Sequence, residues 1–155
     1  MGLDMYLYAR RYISNWGNEK ELSEELNKVT ESIRKGYNVQ YITIEAMYWR
    51  KSNQIHAWFV KNVQNGIDDC GSYSVDDEKL RELLDTVNKV LEDHSKAEEL
   101  LPSQSGFFFG STEYGSWYFD DLERTKKELT ELFEKFSDNE GNFDYNWNFE
   151  YQSSW

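Results

Sequence analysis

The chain has 155 residues, enough for one domain whose core needs no covalent staples. A formal net charge of -12 excludes a general nucleic-acid binder, which gains affinity by setting Lys and Arg against phosphates, but leaves room for a small anionic ligand in a locally basic pocket. A single cysteine, Cys70, excludes an intramolecular disulfide framework; no apolar run reaches membrane-spanning length and no export signal opens the chain, so a cytoplasmic protein is expected.

Residues 2–13 alternate Leu3, Met5, Leu7 and Ala9 with Asp4, Tyr6, Tyr8 and Arg10, the period of a strand with one buried face. Asn18 then caps a helix with Leu22, Leu26, Val29 and Ile33 at helical spacing, running to about Lys35 and stopping at Gly36. Residues 39–48, VQYITIEAMY, are β-branched and aromatic and predict a second strand, ended by Trp49, Arg50 and Lys51. A helix opening at Ser52 or Asn53 carries Ile55, Trp58, Phe59 and Val63 on one side and closes at Asn65-Gly66. Residues 67–75 read as a loop entering a short strand. Asp76 or Asp77 then opens the clearest amphipathic helix, built on Leu80, Leu83, Leu84, Val87 and Leu91, with a further helical turn before Pro102.

The stretch that stands apart is QSGFFFGSTEYGSWYFDDLE, residues 104–123. It is too polar and glycine-punctuated for a plain core strand, and too aromatic for a plain loop. One reading is a buried strand followed by a helix cap. The other is a recognition segment, whose aromatic faces stack on a planar group while hydroxyls and backbone N–H groups approach phosphate or sugar oxygens. Ser116 opens a long helix with Phe119, Leu122, Leu129, Leu132, Phe133 and Phe136 in its stripe. Residues 143–152 alternate aromatic and polar side chains, the strongest strand pattern in the chain. The expectation is a single α+β domain over residues 1–155, with about five strands in a mixed sheet packed against about four helices.

Chemistry is sparsely signalled. Phosphate-loop, HExxH, CxxC and GxSxG patterns are absent. Cys70 follows Asp68 and Asp69, a setting that disfavours a thiolate, and His56 and His94 have no ligand-spaced partner. Basic residues adjoin aromatic ones twice: Tyr8, Arg10, Arg11 and Tyr12, and Tyr48, Trp49, Arg50 and Lys51. Should both meet the 104–114 stretch, Trp49, Phe107 or Tyr114 would stack on a base and Arg10, Arg50 or Lys51 would neutralise phosphate. His56, Asp69, Gln104, Ser105 and Ser111 would supply polar recognition. The plainer reading pairs these arginines with surface glutamates.

Four blocks carry a resemblance: MGLDMYL at the start, YWRKSNQIHAWFV at Tyr48–Val60, DDCG at Asp68–Gly71 and LPSQSGFFFGSTEY at Leu101–Tyr114. Together they resemble a family of small phage and prophage proteins, in which Thr is common where this chain has Ser103. The resemblance implies a viral setting, in the cytoplasm of an infected bacterium, and carries no mechanism with it. The expected function is therefore a counter-defence sponge, without catalysis or cofactor and compatible with a homo-oligomer, that sequesters a nucleotide immune signal such as a cyclic dinucleotide or an ADP-ribose derivative. The alternative is an acidic inhibitor that occupies the nucleic-acid-binding surface of a host defence protein. A hydrolase of the same signals is a third reading, for which no base or metal arrangement is visible.

Overall fold

Alternation at the start of the chain becomes β1 (Asp4–Tyr12), with Met5, Leu7 and Ala9 fully buried and Tyr6, Tyr8 and Arg10 half-buried on the opposite face. The computed structural model, which describes residues 2–155, pairs β1 antiparallel with β2 (Tyr41–Arg50) on one side and β4 (Trp147–Ser154) on the other. A short β3 (Ser72–Val75) pairs antiparallel with the outer edge of β4, giving the order β2-β1-β4-β3. The strand latest in the chain thus lies inside the sheet.

One face of this sheet is covered by α2 (Asn53–Asn62), α3 (Asp77–Glu92) and α5 (Ser116–Lys135). Ile55 and Phe59 of α2, Leu80, Leu83 and Val87 of α3, and Leu122, Leu129 and Leu132 of α5 meet Leu3, Met5, Leu7, Trp49, Phe149 and Tyr151 in one core. Phe59 stacks flat on Tyr151, with ring centroids 3.9 Å apart. The short α4 (Ala97–Leu100) supplies the helical turn expected before Pro102. By contrast α1 (Lys20–Glu31) sits at the tip of the β1–β2 hairpin, and none of its residues belongs to that core.

The α+β architecture agrees with expectation, while three details differ. The sheet has four strands, all antiparallel, because the Phe107–Phe109 segment folds as a turn closed by Phe109 N–H donating to Gly106 O at 3.2 Å. Helix α1 ends at Glu31, where Thr30 and Ser32 turn their hydroxyls onto the carbonyls of Asn27 and Val29. Strand β4 begins only at Trp147, since Asp138 and Asp144 hold the preceding residues in turns through bonds to the amides of Asn142 and Asn146. No helix among the described residues is long and apolar enough to cross a membrane.

Trp49 is fully buried and its Nε1–H donates to Thr125 Oγ1 at 2.9 Å, tying β2 to α5. Trp49→Ala is expected to lower stability by roughly 3–5 kcal/mol in urea unfolding. Tyr145→Ala, at a side chain 78% exposed, is expected to change it by no more than about 0.5 kcal/mol.

Candidate functional site

The antiparallel register sets Asp4 opposite both Arg50 and Ser154, so the start of β1 and the ends of β2 and β4 share one end of the sheet. Lys51 N–H donates to Leu3 O at 2.8 Å, and the chain turns there into α2 with Lys51 at φ +60°. A non-glycine residue in this left-handed region carries strain of order 1–3 kcal/mol. Two residues later, the buried Asn53 side chain organises the long connection that closes over this end. Its Oδ1 accepts from Gln104 N–H at 2.9 Å, and its Nδ2 donates to Phe109 O at 3.2 Å and Ser111 O at 2.8 Å.

Pinned this way, the loop sorts its three phenylalanines. Phe109 turns inward, with its ring edge-on to His56 and beside Trp155 at 6.2 Å. Phe107 and Phe108 turn outward, 83% and 44% exposed, their rings in contact at 4.3 Å between centroids. Phe108 itself has φ +70°, held by its carbonyl accepting from Leu3 N–H at 3.4 Å. Both glycines of the GFFFG segment are required. A Cβ on Gly106 would lie 2.5 Å from the Phe109 ring, and Gly110 has φ +94° and a position where an added Cβ would lie 3.1 Å from the Lys51 Cβ. Lys51 therefore lies along the loop, and it forms no ion pair among the described residues. Arg50 stands beside it, its Nε 3.9 Å from Asp4 Oδ1.

Of the residues expected to bind a ligand, Arg50, Lys51, Gln104, Ser105, Phe107 and Ser111 are brought to this one end of the sheet. Tyr114 closes the same loop, but its hydroxyl already accepts from Ser103 N–H at 3.2 Å. Trp49 does not join them; its ring is enclosed in the core and has no face free for a ligand. Arg10 stays apart on the open sheet face, six residues along β1 and so about 20 Å from Asp4. It lies over the Tyr41 ring at 4.1 Å and pairs with Glu150 at 3.5 Å. Asp69 is spent on its own turn, accepting from Gly71 N–H at 2.8 Å and from the Tyr73 hydroxyl at 3.0 Å.

His56 is also enclosed, in a network with a clear proton order. Asp68 accepts from Nε2–H at 3.0 Å, which leaves Nδ1 to accept the Tyr151 hydroxyl proton at 2.8 Å. Burial pushes the His56 pKa below its ordinary value, against the opposing pull of Asp68, and burial raises that of Tyr151. On α5, burial raises the Asp121 carboxyl despite Ser52, Arg124 and Gln54 nearby. Among the described residues, no three His, Cys, Asp or Glu side chains gather into a metal-holding cluster.

Sequence reasoning missed Asn53 as the anchor, taking it only as a helix start, and missed Phe108 and Trp155 as aromatic neighbours. The GFFFG glycines were the available signal. No protein-family model matches the chain, and no significant match is found among curated proteins or solved structures.

Asn53→Ala would strand one amide and two carbonyls; a loss of about 1–3 kcal/mol is expected, with faster proteolytic cleavage inside residues 104–114. A second outcome concerns pH. Because folded His56 resists protonation, below its ordinary pKa of 6.5 the unfolded chain binds a proton that the folded one refuses, and stability falls as pH falls. Asp121, with its raised pKa, acts in the opposite sense. His56→Gln is expected to flatten the decline in melting temperature between about pH 6.5 and pH 5.

Proposed function

We propose that the protein is a non-catalytic binder of a planar, phosphorylated small molecule, held by Phe107, Phe108, Arg50 and Lys51. The observation that carries this reading is the pairing of two outward phenylalanine rings with a lysine that forms no ion pair among the described residues and a largely exposed arginine, in a chain of net charge -12. Exposed aromatic faces offer stacking to a base, worth about 1–3 kcal/mol each. Cationic heads on a strained turn give a fixed position for phosphate. The loop also presents Ser105 at the surface. The resemblance to small phage and prophage proteins supplies a context: sequestration of a nucleotide immune signal, a cyclic dinucleotide or an ADP-ribose derivative, inside the infected cell.

A second reading is favoured by the helices. Glu78, Asp85 and Glu92 on α3 and Asp120, Glu123 and Glu134 on α5 are exposed and form no ion pair among the described residues. These two helices pack on each other, so the carboxylates form an acidic surface suited to a basic patch on a host nucleic-acid-binding protein.

The test is to incubate purified protein with cyclic dinucleotides and ADP-ribose signals, remove free ligand, denature by heat, and identify what is released by mass spectrometry. Intact nucleotide is expected, and Phe107→Ala or Lys51→Ala should weaken its retention roughly tenfold or more while leaving the fold unchanged. Altered nucleotide would replace binding with hydrolysis. No retention across the panel would transfer the assignment to the acidic surface of α3 and α5.

A further inference from the structure

Eight of the fifteen large apolar side chains exposed among the described residues fall between Tyr12 and Ile44, around the tip of the β1–β2 hairpin. The stripe of α1 is at their centre. Leu22, Leu26 and Val29 on α1, with Ile33 in the turn after it, follow a four-three-four spacing, a narrow apolar seam of the kind by which one helix packs along another. Inside this chain the seam finds little cover: Val29 is 63% and Ile33 75% exposed, and Tyr37 beyond them is 71% exposed. Beside it lies an open depression of about 530 Å³ lined by Ile33, Arg34, Tyr37, Val39 and Tyr41. A helix of 12 residues with an uncovered apolar stripe is marginal in water, so it gains stability from whatever packs on it.

Charge selects the occupant. Residues 12–44 hold four basic and five acidic side chains, close to neutral in a chain whose net charge is -12. Two copies can approach through it with little net repulsion. Within it the charges are polarised. Glu21, Glu24 and Glu25 outnumber Lys20 in the first half of α1, and Lys28, Arg34 and Lys35 outnumber Glu31 in its second half and the turn that follows. A two-fold axis through the middle of the helix would set each acidic half over the basic half of the other copy, and would also oppose the two helix dipoles.

We infer that α1 and the turn that follows it are a self-association surface, through which two copies of this chain pair by antiparallel packing of Leu22, Val29 and Ile33. The surface is separate from the Phe107 loop, and the inference does not rest on the nucleotide reading.

Analytical ultracentrifugation across a range of concentrations tests it. A species of twice the chain mass is expected. Val29→Glu with Ile33→Glu should abolish it without changing the far-ultraviolet circular dichroism, since both side chains are exposed. Glu21→Lys with Glu25→Lys should shift dimerisation to higher concentration, and adding Arg34→Glu with Lys35→Glu should restore it by reversing both halves of the pair. A single-chain mass at every concentration overturns the inference. So does a dimer that survives Val29→Glu with Ile33→Glu, which would place the interface elsewhere.

Discussion

One carboxamide governs the end of the molecule where chemistry is concentrated. Asn53 is the first residue of α2, buried, and bonded to three backbone groups spread over residues 104–111. Backbone groups taken away from water must find partners, and a connecting loop has none of its own to offer. With Asn53 supplying them, the loop need not pair as a strand. Phe109 then enters the core, Phe107 and Phe108 remain outside, and the Gly110 backbone can close on Lys51. The left-handed residues Lys51 and Phe108 are the strained counterpart of that arrangement, each held by a hydrogen bond with Leu3.

Periodicity carried most of the architecture. The alternations at residues 3–10 and 147–152 and the helical stripes at 80–91 and 119–136 each specify which side must be buried, and each became an element with that side inward. The 104–114 loop was legible only as an anomaly, because its shape depends on Asn53, about fifty positions earlier, and no local pattern announces that bond. Trp49 misleads for the same reason. Next to Arg50 and Lys51 it resembles part of a binding cluster, yet strand alternation sends it to the opposite face, where Thr125 awaits its indole N–H. Arg50 and Lys51, next to it in the chain, stay at the end of the sheet beside the loop.

The blocks singled out in the sequence are far apart in the chain and close in space. Leu3, the Arg50–Asn53 turn and the Phe107–Ser111 loop are joined by direct hydrogen bonds, and the Asp68–Tyr73 turn reaches the same end of the sheet through His56 and Ser153. The rest of the sheet face away from the helices is lined with Tyr6, Tyr8 and Tyr48, stacked or tilted against one another, and with the Arg10–Glu150 pair. Side chains there satisfy one another, while at the loop Phe107 stands 83% exposed and Lys51 forms no ion pair among the described residues. That contrast locates the candidate site better than any single residue.

The position of β4 has a consequence for biosynthesis. While the chain is being made, β1 and β2 can form their hairpin as soon as both have left the ribosome, but β3 has no partner and one edge of β1 stays open until residues 147–154 emerge. Such late, long-range pairing is slow and leaves strand edges available for wrong partners in the interval. The nascent sheet therefore waits on residues 147–154, and its folding is coupled to the emergence of that one segment.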